Sequence, residues 1–283
     1  GTVLASLFYS IGWDKTLGFF EIGIDPERGL YQIAFFSISC LLLSLGLLVT
    51  YVPEKLNSNN RILGFGIFEL WVAFKSEKLY RRLLLAYFLN GAANGFPPAL
   101  FVFFVSYKLE EPAFSGLLLL TYFIAAICGA PFWLYLSKKF EKQRLWCWAM
   151  IYASIIFMFV LNLGTGDLTG FFAICVLTGF ALSADLALPP AIQADLVDLE
   201  FIRSKSRRTG AFFAFWGLAA KTAVALSTGF SLIFLALVGF DPLAENSQET
   251  LFYLTLIYAG APISLKLLSI SLMWTFPLKN TEE

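Results

Sequence analysis

Histidine is absent from all 283 residues. Intramembrane acyltransferases and metalloproteases lean on His as base or ligand, and Ser and Cys hydrolases usually do too, so these classes lose their ordinary machinery. Charge is also scarce: Asp, Glu, Lys and Arg make up 14% of the chain and balance to zero. No basic face is left for nucleic acid. An enzyme would have to run on carboxylates, and Asp185 is the one acid inside an apolar run, so no enzymatic activity is expected. The four cysteines, Cys40, Cys128, Cys147 and Cys175, lie in apolar runs without CxxC spacing. They read as small core hydrophobes, and no metal or cofactor is expected.

What the chain has in abundance is long uncharged sequence. Stretches free of Asp, Glu, Lys and Arg cover 29–53, 83–107, 112–137 and 145–166, each longer than the ~20 residues a helix needs to cross a ~30 Å hydrocarbon core. Three more, near 168–191, 210–239 and 250–277, carry one internal charge apiece: Asp185, Lys221 and Lys266. Seven spans are therefore expected, in an all-α, polytopic membrane helix bundle whose first partner is the lipid bilayer. The 58% hydrophobic content and mean hydropathy of +0.74 agree, because a soluble chain hides its apolar residues in periodic stripes rather than continuous runs.

Basic residues test the arrangement. Fifteen of the twenty Lys and Arg fall in 53–82, 138–144, 203–208 and at Lys279. Alternate loops hold only Lys15, Arg28 and Lys108. Seven spans put every basic cluster on one side, and by the positive-inside rule that side, with the carboxyl terminus, is expected to be cytoplasmic in a multi-pass protein of the cell membrane. The segment Ile62 to Leu79 mixes Phe65, Phe68, Leu70, Trp71 and Phe74 with Glu69, Lys75, Glu77 and Lys78, which suits a helix lying in the membrane interface. Gly1 to Trp13 is apolar but too short to cross, and reads as the end of a helix begun before Gly1. No secretory signal pattern is seen there.

A polar stretch after the fifth of these seven runs distinguishes the chain from a generic bundle. It reads Asp195-Leu196-Val197-Asp198, then Arg203-Ser204-Lys205-Ser206-Arg207-Arg208-Thr209-Gly210, followed by Phe212, Phe213, Trp216 and the intramembrane Lys221. This pattern resembles the glycoside-pentoside-hexuronide:cation symporters, the melibiose-permease-like branch of the major facilitator superfamily. The stretch Leu84 to Pro98 resembles that family's seventh helix, and Ala261-Pro262 to Lys266 its twelfth. The resemblance covers essentially the whole chain. It implies a partial facilitator fold, from the end of helix 5 through helix 12. The divisions it implies are 1–52, the end of the amino-terminal bundle; 53–81, a cytoplasmic connector; and 82–283, the carboxyl-terminal six-helix bundle. One departure is Glu141 in Ser137-Lys-Lys-Phe-Glu-Lys-Gln-Arg144, where the family commonly has Gly. In this family the principal sugar-specificity and cation acids lie in amino-terminal helices outside this sequence, which therefore cannot name the solute.

Within the chain, the candidate residues for the substrate or coupling pathway are Asn90, Asn94, Asp185 and Lys221. Asn90 and Asn94 share a helical face, as an interhelical hydrogen bond or as a sugar contact. An ionisable residue in a span usually faces a partner or a wet cavity, and Asp185 and Lys221 are expected to pair, as a static bridge or as a proton-linked switch. Lys266 is expected to snorkel or to face the neighbouring helix. Pro97-Pro98 and Pro189-Pro190, each preceded by a polar residue, sit in the first helices of two three-helix repeats, where interrupted helices mark facilitator sites. Asp195, Asp198, Arg203, Arg207 and Arg208 are expected in a loop forming a cytoplasmic gate.

The resemblance implies a secondary transporter, monomeric when complete, moving a sugar or glycoside by symport with sodium or a proton. Alternatives are a same-fold carrier of a lysolipid or organic anion, and an inactive or partner-dependent half-transporter.

Overall fold

The computed structural model describes residues 26–51, 78–204 and 209–277, and every regular element among them is helical. The elements are α1 (Pro26–Tyr51), α2 (Lys78–Phe103), α3 (Ser115–Ser137), α4 (Lys142–Val160), α5 (Leu168–Ser204), α6 (Thr209–Leu237), α7 (Gln248–Thr255) and α8 (Ala261–Met273). A π-helical turn, Phe104–Lys108, extends α2, and another, Leu256–Gly260, joins α7 to α8. Six described helical stretches are long and apolar enough to cross a membrane: 78–108, 112–137, 142–160, 168–199, 212–237 and 248–273. They fall on six of the seven expected spans. The seventh is the 26-residue α1, whose described apolar stretch is the shorter Ser37–Leu47. The amino-terminal apolar segment and nearly all of the expected interfacial helix lie outside the described residues; Lys78 and Leu79 open α2.

The described residues form two compact units, one holding α1 with 113–120 and the other holding α2, the rest of α3 and α4 to α8. In the second, α2 packs on α6 and α8, and α4 packs on α5 and α8. Its polarity is inverted relative to a water-soluble protein. Ile127, Phe159 and Leu237 are exposed, whereas Asn90, Gln193, Ser231 and Lys266 are buried. Hydrocarbon accepts the first group, and the second must find partners inside. Buried hydroxyls do so on their own helix: Ser154 donates to the Met150 carbonyl at 2.8 Å, Thr178 to Ile174 at 2.7 Å and Ser231 to Ser227 at 2.6 Å.

With no difference in apolarity between lipid and core to drive association, membrane helices gain contact by close approach over small residues. Gly91 and Gly95 on α2 face Ala223 and Ser227 on α6, four apart on both helices. A methyl at Gly95 would collide with the Ser227 hydroxyl, and one at Gly179 with the Tyr122 carbonyl. The two π turns meet as well: the Phe104 and Tyr258 rings stack at 4.5 Å, with Phe171 against both.

One expectation about local structure changes. The segment with Asp195, Asp198 and Arg203 is helix rather than loop, because α5 runs 37 residues, about 55 Å, well past the ~30 Å hydrocarbon core. The turn between α3 and α4 needs no glycine, since Glu141 has φ −57°, and its carboxylate pairs instead with Arg144 at 2.9 Å.

Candidate substrate and coupling site

The centre of the second unit is an ion pair sealed from solvent. Lys266 of α8 is 1% exposed and Asp185 of α5 is 8% exposed, with the Lys266 ammonium 2.8 Å from Asp185 Oδ2. Burying two charges is unfavourable unless the remaining lone pairs and protons are also satisfied, and two further helices supply those partners. From α2, Asn94 Nδ2 donates to Asp185 Oδ2 at 2.9 Å, and Asn90 Oδ1 accepts from Lys266 at 2.8 Å. From α4, the Trp146 indole N–H donates to Asp185 Oδ1 at 2.8 Å. Both carboxylate oxygens are thus engaged, and one ammonium bridges two acceptors on different helices.

Asn90 and Asn94 therefore reach the same ion pair from one face of α2, one on the cation and one on the anion. The expected pairing of Asp185 with Lys221 is not what the structure shows. Lys221 is exposed and makes no ion pair among the described residues. The reason is rotational: α6 meets α2 through Ala223 and Ser227, and Lys221 lies about 200° around the helix from Ala223. Lys266 takes the place, and its ammonium turns inward to Asp185 rather than snorkelling.

The proline pairs belong to the same centre. Pro97 and Pro98 lie inside α2, and Pro189 and Pro190 inside α5; neither helix is broken. Proline cannot donate to the carbonyl four residues back, so the deprived carbonyls include those of Asn94 and Asp185, the residues whose side chains bond each other. A cavity of about 20 Å³ lies beside them, lined by Pro97, Asn94, Asp185, Lys266 and, among others, Tyr122 and Thr178. It has room for about one water molecule among polar groups able to hold it.

At the end of α5, Asp195 receives Lys142 of α4 at 2.6 and 2.8 Å. The pair is partly exposed, 28% for the Lys142 side chain and 36% for that of Asp195, so its contribution to stability is small. Asp198 is exposed. Arg203 lies in the last turn of α5, and Arg207 and Arg208 lie outside the described residues. The partner of Asp195 is thus a lysine of the 138–144 cluster. Arg82, near the start of α2, donates to the Leu272 carbonyl at the end of α8 and to Thr275.

Sequence inspection did not single out Trp146 or Lys142. A tryptophan in an apolar run carries no positional mark of its donor role, and Lys142 is one of four cations within seven residues. Trp146→Phe is expected to lower stability by about 1.5–3 kcal/mol, the usual loss for a hydrogen bond to a charged group, measured as a drop in the thermal unfolding midpoint of the purified protein.

Comparison with known proteins fixes what kind of bundle this is. A family model described as MFS/sugar transport protein matches residues 3–280. The chain belongs to this family. It is thus a multi-pass membrane protein of the major facilitator superfamily, with an all-helical partial facilitator bundle. Among the facilitator's relatives are the sphingosine-1-phosphate transporter MFSD2B of Xenopus tropicalis, 24% identical over 90% of this chain and 50% of the relative. The sodium-dependent lysophosphatidylcholine symporter 1 of Xenopus tropicalis is 24% identical over 91% of this chain and 50% of the relative. Its human counterpart is 25% identical over 70% of this chain and 37% of the relative. The chain spans about half the length of the two Xenopus tropicalis relatives and 37% of the human one.

Proposed function

We propose that this chain is the carboxyl-terminal part of a secondary transporter that moves an amphiphilic, lysolipid-type solute across the cell membrane by alternating access. The observation that carries the transport reading is the Asp185–Lys266 pair, buried where α2, α4, α5 and α8 converge. Charge kept inside a membrane bundle ordinarily serves a substrate or ion pathway. The helices holding it carry the proline pairs that deprive Asn94 and Asp185 of backbone partners, a feature of facilitator binding sites.

The solute reading rests on the relatives. Their names specify sphingosine-1-phosphate and lysophosphatidylcholine, which favours the non-sugar alternative over the sugar expected from the melibiose-permease resemblance. The family description names sugar transport, so a sugar stays as the second reading. We further propose coupling to a cation, sodium or proton, with the basic ends of the helices facing the cytoplasm and the divisions 1–52, 53–81 and 82–283 as the two bundles and their connector. Asn90, Asn94, Asp185 and Lys266 are the proposed pathway residues. Lys221, on the exposed face of α6, is kept as a pathway candidate, and Asp195 with Lys142, Asp198, Arg203, Arg207 and Arg208 as the cytoplasmic gate.

The test is uptake by cells expressing the complete coding sequence, with labelled lysophosphatidylcholine, sphingosine-1-phosphate and a galactoside offered in turn, in sodium and in choline medium. Uptake of a lysolipid above the vector control is expected, falling several-fold without the coupling ion. Uptake of the galactoside alone would restore the sugar reading. Uptake of none would favour a partner-dependent half-transporter.

A further inference from the structure

A second cavity lies apart from the buried ion pair and shares none of its lining residues. It is an open groove of about 940 Å³ between α3 and α4, floored by Trp133 and Phe180. Its floor is rigid. The Trp133 indole donates to the Phe180 carbonyl at 2.9 Å, and the Phe132, Trp133 and Phe180 rings pack at 5.2 to 5.6 Å between centroids.

The groove is polar at one end only. Lys139, Glu141 and Arg144 sit where α3 gives way to α4, while Leu136, Trp148 and Tyr152 continue the wall along the helices. Tyr152 is eight residues past Arg144, about 12 Å further along the helix. The shape is thus that of an amphiphile, with a charged end at the depth of helix termini and an apolar trough running into hydrocarbon. Phe140 and Trp148 are more than half exposed, and Tyr135 lies under the Lys139 ammonium, 4.6 Å from ring centroid to nitrogen. Aromatic residues of this kind mark the headgroup level of a bilayer.

Charge selects the occupant. Lys142, the third cation of this turn, is committed to Asp195, so the lining holds Lys139 and Arg144 against the single acid Glu141, which already pairs with Arg144. The lining is net positive, and its cations are exposed enough to receive a phosphate. A volume near the upper end of the ~300–1,000 Å³ usual for small-molecule sites suits a headgroup with part of an acyl chain. We propose that this groove binds an anionic glycerophospholipid of the bilayer, its phosphate between Lys139 and Arg144 and one acyl chain along Leu136, Trp148 and Tyr152. Glu141 acts as the competitor that phosphate displaces from Arg144.

The test uses the complete protein, purified and delipidated in detergent, with dioleoyl phosphatidylglycerol or dioleoyl phosphatidylcholine titrated in while the thermal unfolding midpoint is followed. Phosphatidylglycerol is expected to raise the midpoint in a saturable way and phosphatidylcholine to do little. Lys139→Ala and Arg144→Ala are each expected to weaken the apparent affinity about tenfold, as loss of one charge-assisted contact does. Glu141→Gln is expected to strengthen it. Lys138→Ala removes the same charge from the same turn outside the groove lining and is expected to leave the titration unchanged. Equal responses to the two lipids, or a loss in Lys138→Ala as large as in Lys139→Ala, would overturn the proposal by showing unselective lipid contact or general surface attraction. Neither outcome depends on transport, so the lipid site and the transport reading fail separately.

Discussion

Asp185→Asn and Lys266→Met are each expected to destabilise the protein by about 3–5 kcal/mol, the usual loss when one member of a buried ion pair is removed. In the first variant the Lys266 ammonium keeps the Asn90 carbonyl oxygen but has no counter-charge; in the second the Asp185 carboxylate keeps the Asn94 and Trp146 donors but no cation. The double variant Asp185→Asn, Lys266→Met removes both charges and leaves neutral groups of similar size. It is expected to regain most of the lost stability, since a buried pair and a neutral replacement are often nearly equal in free energy. Thermal unfolding in detergent measures all three. Two single losses that simply added in the double would show that the side chains do not act as a pair. The folded double variant then separates two roles: unchanged uptake and ion dependence would make the pair a static strut, and lost coupling with normal folding would make it part of the transport cycle.

The second large effect concerns the seam between α2 and α6. Gly95→Ala places a methyl group against the Ser227 hydroxyl, and overpacking of this kind typically costs about 1–3 kcal/mol. Adding Ser227→Gly removes the obstructing side chain, so the Gly95→Ala, Ser227→Gly pair is expected to unfold close to the wild-type midpoint. Gly229 offers an internal control, because no packing neighbour among the described residues lies within 4 Å of where its side chain would begin. Gly229→Ala is expected to change the midpoint little. A Gly95→Ala protein as stable as wild type would mean that the helices separate freely, and that the small-residue seam does not set their distance. Because α2 carries Asn90 and Asn94, a seam opened here also moves the ligands of the ion pair.

Legibility from the sequence differed sharply between the elements and their contacts. The uncharged runs at 83–107 and 112–137 became helical stretches with nearly the same bounds, because a helix in hydrocarbon must satisfy its own backbone along its whole length. The end of α5 was missed because charge was taken to mean loop. Asp195 and Asp198 instead continue the helix, Asp195 paired with Lys142 and Asp198 exposed, while the backbone stays paired. Glu141 was a departure from a family pattern in sequence, yet its backbone lies in an ordinary region, so the turn forms without glycine.

The choice of lysine shows the limit most clearly. Asp185, Lys221 and Lys266 are all visible as charges inside apolar runs, and sequence alone determined that at least one pairing or wet cavity must exist. Which lysine meets Asp185 depends on how α6 and α8 are rotated about their own axes. In water an apolar stripe would report that rotation, but lipid is as apolar as the core, so a membrane helix has little reason to mark its inner face with hydrophobicity. The sequence by itself thus determined an all-helical membrane bundle, its span positions and the scarcity of catalytic groups, because each follows from local composition and backbone satisfaction. The tertiary structure decided that Lys266 rather than Lys221 neutralises Asp185, that Asn90, Asn94 and Trp146 complete the network, and that Lys142 holds Asp195. Those outcomes depend on helix rotation and close approach at residues such as Gly95, which act only once the helices are assembled.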